Sequence, residues 1–440
     1  MSISPNFNDM GWIENIKSIS KTDTAKNSAI LLMANVVSQL LGIVFYPILT
    51  RIYSPDDFGL LNLFGSIAGI LTLCSTAEYQ YSIMLPKSRK SAVACFHVGF
   101  LILLFTTSLC FVSVLFGKPI ASVFNAPDLA KYYWLMPFYV FGIGLWTLLN
   151  YWFTRNKRFK DVSIYLVSQS GWNGLIKYFM GIGGALHIGL ILGTVLAPFI
   201  SILMIIKKSI HTVLRPLFVW DRCECQSMAA TYANFPKYSL PRALVNNVSL
   251  NLPVLLLTPF FGTNIIGLFG MAVTLSFRPI SMIAGSLYQS FYQKFTENMH
   301  QNMPIYPLYR KYIRMTLLVV IPFFVLLYPI LPFLSGWFLG EEWIVAGEYI
   351  RILLPWLAGT LLLGPFSFLL DIFQKQKLGM FYEFIYLILR FIGLMVGVWM
   401  KDFKLAILLY SLISLLMLIV LWVYYHVLLI RYEKRLNRFS

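Results

Sequence analysis

The sequence predicts an all-α integral membrane protein with about twelve transmembrane helices, arranged as two six-helix lobes around a central cavity. The 440 residues are 58% hydrophobic and 12% charged, whereas soluble domains carry about 25% charged residues. Apolar segments of about 20 residues, long enough to cross a bilayer, recur along the whole chain. The alternating pattern of a membrane barrel is absent, so the spans are expected to be helices that satisfy their own backbone hydrogen bonds.

Each predicted span is an apolar segment bounded by polar or charged residues. The first 26 residues are polar and lack an apolar core next to a small-residue cleavage site, so they do not resemble a signal peptide. In chain order the predicted spans cover residues 27–50, 58–85, 92–117, 132–153, 161–184, 186–206, 238–262, 265–292, 312–338, 348–371, 380–400 and 403–430.

The cysteines predict neither a disulfide framework nor a metal site. Cys74, Cys95 and Cys110 lie in predicted spans. Cys223 and Cys225 are separated by one residue, whereas the cysteines of metal-binding pairs are usually separated by two or more. No metal and no other bound cofactor are therefore expected.

The distribution of Lys and Arg predicts the orientation of the chain. When the connections are assigned alternately to two sides, 25 of the 35 Lys and Arg residues fall on the side that holds both termini, and 6 fall on the other. Basic connections face the cytoplasm, so both termini are predicted to be cytoplasmic. Topology and attraction to anionic membrane lipids account for the net charge of +17, and no nucleic-acid partner is expected.

The stretch LTRIYSPDDFGLLNLFGSIAGIL, residues 49–71, is predicted to form the first turn on the less basic side. Pro55 and Gly59 interrupt the chain there. Asp56 and Asp57 lie at the start of the second helix, where the helix dipole favours negative charge.

The longest basic connection, residues 207–237, divides the chain into an N-terminal lobe (1–206) and a C-terminal lobe (238–440) with six predicted spans each. YPILTRIYSPDDFGLLNLF leads into the second span and LPVLLLTPFFGTNIIGLFG into the eighth, so that Pro47 corresponds to Pro253 and Gly59 to Gly267. Both lobes begin on the same side, which is typical of parallel repeats that enclose a cavity. The alternative is that two apolar helices with a glycine-bearing turn look alike by chance.

With twelve predicted spans, the six-plus-six division and LTRIYSPDDFGLLNLF before the second span, the chain resembles polysaccharide flippases of the multidrug/oligosaccharidyl-lipid/polysaccharide (MOP) superfamily. Within it the chain most resembles the Wzx-type translocases of O-antigen or capsule repeat units. The resemblance extends over essentially the whole chain and is most specific at residues 26–90.

This resemblance implies the movement of an undecaprenyl-pyrophosphate-linked oligosaccharide from the cytoplasmic to the periplasmic leaflet of the bacterial inner membrane. It also implies alternating access of the two lobes, with lateral openings between spans one and eight and between spans two and seven, and no covalent chemistry on the cargo. The partners implied are the lipid-linked oligosaccharide, membrane lipids and other membrane proteins of polysaccharide assembly.

Basic residues within the spans are the main candidates for binding this cargo, because ionisable groups inside a membrane face a cavity or a partner. At 1.5 Å per residue, Arg278 lies roughly 20 Å from the start of its span and Arg390 roughly 15 Å into its own, so both are predicted near the midplane. With Lys177, Arg242 and Arg51 they form a predicted cationic path for pyrophosphate, whose charge suits guanidinium contacts.

Each of these residues has a structural alternative. Lys177 and Arg242 lie close enough to a span end to reach the interface. Arg390 has Glu383 seven residues earlier on the same helical face, and a buried ion pair is the alternative there. Arg278 precedes a proline, which favours a helix kink, and it is the strongest candidate for contact with the cargo.

The spans also contain candidates for ion coupling and for sugar contact. Glu78, Asp371 and Glu383 are candidates for coupling to a proton or sodium gradient, and pairing with basic loop residues is the alternative. Polar and aromatic side chains suit sugars, but helix packing explains them equally well. The candidates for sugar contact are Asn35, Gln39, Trp146, Trp172 and Asn247, and further polar groups lie at Gln80, Gln169, Asn173, Asn246 and Asn251.

Two other functions compete with flipping. A drug or metabolite antiporter of the same superfamily would share the spans, but many members carry an acidic residue in the first span, and residues 27–50 contain none. A membrane polymerase or glycosyltransferase would need a sizeable outward loop with catalytic groups. The longest outward connections, 117–131 and 338–348, are short, and their only adjacent carboxylates are Glu341 and Glu342. The protein is therefore not predicted to be an enzyme.

Overall fold

The computed structural model describes residues 23–209, 213–301 and 303–439. Within these ranges the chain is helical and contains no strand, which confirms the all-α prediction. The first 26 residues were predicted not to be a signal peptide, and residues 1–22 of this segment lie outside the described residues. The helices are α1 (Asp23–Leu49), α2 (Pro55–Thr76), α3 (Arg89–Ser113), α4 (Gly117–Val123), α5 (Pro127–Tyr132), α6 (Met136–Arg155), α7 (Phe159–Ile182), α8 (Leu186–Ser209), α9 (Arg222–Thr231), α10 (Leu240–His300), α11 (Tyr306–Leu339), α12 (Ile344–Leu363), α13 (Leu369–Ile372), α14 (Gln376–Trp399) and α15 (Phe403–Phe439).

Ten helical segments of the described chain are long and apolar enough to cross a membrane. One of them contains α10, whose 61 residues include a non-helical backbone at Gly262 with φ 80° and ψ 170°. At 1.5 Å per residue α10 is long enough to cross twice, once on each side of Gly262. The 24-residue helix α7 is also long enough to cross but is more polar. When α10 is counted as two spans and α7 is added, the ten segments become the twelve predicted spans.

The main difference from the predicted spans follows α2. The second span was expected to reach residue 85, but the helix ends at Thr76. Ala77 and Glu78 have positive φ values of 44° and 65°, a conformation that does not continue an α-helix. A 3₁₀-helix, Tyr79–Met84, follows. The prediction of a continuous helix across residues 77–85 was therefore wrong.

The start of α2 explains the charged turn at residues 49–71. The Ser54 hydroxyl accepts a hydrogen bond from the backbone N–H of Asp57 at 3.4 Å, and the Asp57 carboxylate accepts one from the Ser54 backbone N–H at 2.8 Å. This reciprocal capping satisfies two backbone donors at once. Pro55 occupies the first helical position, where no N–H is needed.

The helices form two groups that meet mainly along α2 and α10. In the N-terminal half, α7 packs against α1 and α8, and α6 packs against α2 and α3. In the C-terminal half, α12 packs against α11 and α15, and α10 packs against α12 and α14. The division into lobes 1–206 and 238–440 with a linker at 207–237 stays a prediction.

Two glycines allow α2 and α10 to cross closely. A Cβ at Gly59 would lie 1.8 Å from the carbonyl oxygen of Thr263, and a Cβ at Gly267 would lie 1.8 Å from that of Pro55. These are the two glycines that the repeat predicts as counterparts. Any side chain at either position would separate the helices.

The alternation of the helices gives the bundle two distinct ends. We call the end that carries the α1–α2 turn (residues 50–54) the turn end, and the opposite end, with the α2–α3 and α6–α7 connections, the basic end. The α9 segment also lies at the basic end. There Asp221 caps α9 and pairs with Lys90 of α3 at 2.8 Å, and this contact lowers the pKa of the Asp221 carboxyl group.

Candidate functional site

A cavity of about 670 Å³ lies between the two halves of the chain. Helices α1, α2, α7 and α8 contribute most of one wall, and both halves of α10, with single residues of α12 and α15, contribute the opposite wall. The cavity therefore depends on both predicted lobes. This position agrees with the central cavity that the sequence predicts.

Two cationic side chains from opposite walls line this cavity. Lys177 comes from α7 and Arg278 from α10, and the two are close enough to interact electrostatically. Among the described residues that line the cavity there is no Asp or Glu. The cavity is thus a positively charged space without an internal counterion.

Arg278 is the strongest candidate from the sequence for contact with the cargo, and the structure places it at the cavity surface. Its side chain is exposed, and Nη1 donates a hydrogen bond to the Tyr46 hydroxyl at 3.4 Å. This weak contact leaves most of the guanidinium donors free for a ligand. The backbone of α10 stays helical around Pro279, and its non-helical residue is Gly262.

Arg390 lies behind the cavity wall and not in it. Its side chain is 2% exposed, and its guanidinium donates to Ser414 at 3.0 Å, to Ser249 at 2.9 Å and to Tyr386. It also lies over the Tyr410 ring, 4.5 Å from the ring centre. We call these contacts the Arg390 cage. Among the described residues no carboxylate pairs with Arg390, so the ion pair with Glu383, which was the structural alternative for this arginine, does not form.

The other predicted charged residues lie away from the cavity. Arg51 is exposed at the turn end and donates to the Pro47 carbonyl at 2.6 Å. Arg242 is exposed near the start of α10. Glu383 lies near Asn246 and within electrostatic range of Arg242.

The two remaining acidic candidates for ion coupling lie near the basic end of the bundle. Glu78 is buried just after α2, with 6% of its surface exposed. Asp371 is exposed on the short helix α13. Neither carboxylate lines the cavity.

Only one of the five candidates for sugar contact lines the cavity, namely Gln39. Asn35 donates back to the Leu31 carbonyl at 3.1 Å. Trp146 stacks on Tyr165 with 3.3 Å between ring centres, so packing occupies this ring.

The other two candidates have structural surroundings as well. Asn247 accepts a hydrogen bond from Asn251 at 3.1 Å and lies next to Gly69 of α2. Trp172 is exposed on α7 outside the cavity lining.

The cavity also contains polar residues that the sequence analysis did not select as site candidates. Gln169 and Asn173, noted only as general polar groups, line it together with Lys177. The three residues recur every four positions on α7, and this spacing places them on one helical face. That spacing is the signal that could have found them. The cavity residues that the sequence analysis missed include Ser38, Tyr46, Asn62, Tyr139 and Thr194.

The cavity is closed at the turn end by contacts between the two halves. The Thr50 hydroxyl donates to the Leu339 carbonyl at 2.7 Å, and the Trp343 indole donates to the Thr50 carbonyl at 3.2 Å. Asp56 accepts a hydrogen bond from Thr263 at 2.6 Å. Together with the Gly59–Gly267 crossing, these contacts form what we call the turn-end seal.

The family of the chain follows from a family model described as polysaccharide biosynthesis protein, which matches residues 48–348. The chain belongs to this family. The match includes the turn-end seal and both cationic residues of the cavity. No curated protein matches the sequence.

Solved structures show that this polysaccharide biosynthesis protein has the fold of MOP-superfamily transporters. A structure described as lipid II flippase MurJ in an inward closed conformation is 12% identical, with a TM-score of 0.69 over 89% of this chain and 86% of that chain. An inward-facing multidrug resistance MATE transporter of the MOP superfamily is 12% identical, with a TM-score of 0.64 over 92% of this chain and 96% of that chain. A MATE transporter in complex with MaL6 is 14% identical, with a TM-score of 0.57 over 92% and 95% of the two chains. The fold that the resemblance to the MOP superfamily implies is confirmed.

Proposed function

We propose that the protein is a flippase for an undecaprenyl-pyrophosphate-linked oligosaccharide repeat unit. The observation that carries this proposal is the cavity between the two halves, where the described lining residues include Lys177 and Arg278 and no carboxylate. A pyrophosphate is a dense anion that suits such a pair, since guanidinium groups bind phosphate oxygens with two parallel hydrogen bonds. Membership in a polysaccharide biosynthesis family supports a glycan as the rest of the cargo.

The proposed location is the bacterial inner membrane, with the basic end in the cytoplasm. Connections rich in Lys and Arg favour the cytoplasmic side, and the alternation of helices brings these connections together at one end. The turn end would then face the periplasm. In this orientation the turn-end seal closes the cavity to the periplasm, as an inward-facing state requires.

The proposed mechanism is alternating access by rocking of the two lobes. The pyrophosphate and sugars would enter the cavity while the lipid tail stays in the bilayer, and the change of state would open the turn-end seal. The seal consists of a few hydrogen bonds and a close glycine crossing, which can separate without unfolding a helix. Coupling to a proton or sodium gradient through Glu78, Asp371 or Glu383 remains part of the proposal.

The same cavity argues against the competing functions. A cation antiporter would need a carboxylate to hold its cargo or its coupling ion, and none of the described residues that line the cavity is acidic. No covalent chemistry is proposed, because the flipped lipid leaves with the same bonds with which it arrived.

The first test is restoration of surface polysaccharide in a deletion strain that carries Arg278→Gln. Removing the guanidinium at the cavity surface should abolish restoration and cause lipid-linked repeat units to accumulate in the cytoplasmic leaflet. The amount of protein inserted in the membrane is measured in parallel, and it should equal that of the wild type.

The matched control is Arg51→Gln, which removes an exposed arginine at the turn end outside the cavity. This variant should restore polysaccharide fully. Full restoration by Arg278→Gln would refute the role of the cavity cation. Polymer-length defects with normal export of single units would instead favour a polymerase.

A further inference from the structure

Among the described residues, five carboxamide side chains line the cavity. Asn251 of α10 donates to the backbone and side-chain oxygens of Asn247 in its own helix, and the other four belong to the N-terminal half. They are Gln39 of α1, Asn62 of α2, and Gln169 and Asn173 of α7. We call them the carboxamide group. The facing wall, from α10, α12 and α15, contributes mainly apolar and aromatic side chains, with Arg278 as its charged residue. Four of the five carboxamides therefore lie on one wall.

The carboxamide group is not used to hold the helices together. Among the described residues, none of the four side chains has a hydrogen-bond partner in the protein, whereas nearby serines do. Ser38 donates to the Leu166 carbonyl at 3.0 Å and Ser170 donates to the Ser38 carbonyl at 2.6 Å, which joins α1 to α7. Polar groups within a membrane are costly unless a partner, water or a ligand satisfies them. The structure thus separates serines that pack helices from carboxamides that face the cavity.

The space around Asn62 is maintained by a glycine of the opposite half. A Cβ at Gly270 would lie 1.8 Å from Nδ2 of Asn62. Any larger residue at position 270 would displace this carboxamide. The close approach of α10 therefore leaves Asn62 at the cavity and limits its conformations.

The two carboxamides of α7 lie on the same helical face as Lys177. Gln169, Asn173 and Lys177 follow one another at intervals of four residues, about one helical turn or 5.4 Å along the axis. A ligand that is held by its phosphates at Lys177 and Arg278 and leaves its lipid tail in the bilayer can extend along this face past Asn173 and then Gln169. That adjoining part of a lipid-linked oligosaccharide is its first sugars.

We propose that the carboxamide group is a subsite for the sugars next to the pyrophosphate, and that it selects uncharged sugars rich in hydroxyl or acetamido groups. This inference rests on the proposed function. A carboxamide both donates and accepts hydrogen bonds, which matches a sugar hydroxyl or an acetamido group in either role. The cations hold the anion common to every such lipid, and the carboxamides supply the preference for its glycan.

The test compares the binding of three probes to the purified full-length protein. The probes are undecaprenyl pyrophosphate alone and the same lipid carrying one N-acetylglucosamine or one glucose, and the dissociation constants are measured by tryptophan fluorescence in detergent. The wild type should bind at least one sugar-bearing lipid about fivefold to tenfold more tightly than the bare lipid, as one or two net hydrogen bonds allow. The double variant Gln169→Met/Asn173→Leu should lose this preference and bind the bare lipid as the wild type does.

The matched control is Asn35→Leu, which removes a carboxamide of α1 that lies outside the cavity and bonds to its own helix. It should keep the sugar preference. Equal binding of all three probes by the wild type, or an unchanged preference in the double variant, would overturn the sugar subsite. If Arg278→Gln also leaves bare-lipid binding unchanged, the proposed pyrophosphate site fails, which is a separate result.

Discussion

Arg278 and Arg390 are both arginines within membrane-spanning helices of the C-terminal half, and their surroundings are opposite. Arg278 lines the cavity and makes one weak hydrogen bond. Arg390 is enclosed by three hydroxyl groups and several aromatic rings. An arginine within the membrane can therefore keep its hydrogen-bond donors available to a ligand, or it can use them in contacts that stabilise the fold. Only the partners of its donors tell the two cases apart.

The Arg390 cage also connects the two regions. Trp356 and Tyr410 line the cavity on one side and approach the Arg390 guanidinium on the other, with 5.7 Å and 4.5 Å to their ring centres. Phe277, which precedes Arg278, stacks on Trp356 with 4.9 Å between ring centres. Arg390 therefore supports the aromatic wall beside Arg278 without contacting the cavity.

The largest expected effect that separates the two arginines is on stability. Arg390→Gln removes the cation–π contacts and three charge-assisted hydrogen bonds, and should destabilise the folded protein by about 3 kcal/mol. Arg278→Gln should change the stability by less than about 0.5 kcal/mol, as is usual for exposed positions. The thermal unfolding of both variants in detergent gives the measurement. Equal unfolding temperatures for the two variants would mean that Arg390 contributes no more to stability than Arg278 does.

Arg390→Lys sharpens the same measurement. A lysine keeps the charge but lacks the planar, five-donor geometry that fits three hydroxyl groups and the rings. It should therefore unfold close to the temperature of Arg390→Gln. Recovery of wild-type stability by lysine would show that the cage requires a charge alone.

The sequence predicted the fold well because the length and apolarity of each segment are local properties. The end of α2 was missed because Ala77 and Glu78 adopt positive φ, and neither residue is a glycine or proline that would mark a helix end in the sequence. The site was predicted less completely. Arg278, Lys177 and Gln39 line the cavity, but Trp146 and Asn35 are engaged in local packing. Which face of a helix meets the cavity depends on neighbouring helices, which a single sequence does not specify.

The second effect is on affinity for the bare lipid. Arg278→Gln should weaken binding of undecaprenyl pyrophosphate by about thirtyfold, since a hydrogen bond to a charged group contributes about 2 kcal/mol. Arg390→Gln, measured below its own unfolding temperature, should weaken binding by less than about threefold because its guanidinium does not reach the cavity. A larger loss in Arg390→Gln than in Arg278→Gln would mean that the aromatic wall, and not the cation, holds the lipid.

The smallest effect concerns a single contact of the cage. Tyr386→Phe removes one hydroxyl acceptor from Arg390 and keeps the ring, whose centre lies 3.9 Å from the guanidinium carbon. The expected loss of stability is about 1 kcal/mol, which is the net value of one hydrogen bond. The matched variant Tyr46→Phe removes the hydroxyl that contacts Arg278 at 3.4 Å and should leave the unfolding temperature unchanged. Because both substitutions delete the same oxygen atom from a tyrosine, a difference between them isolates what each arginine contributes to the fold. A similar loss in both variants would indicate that Arg278, like Arg390, is held by the protein.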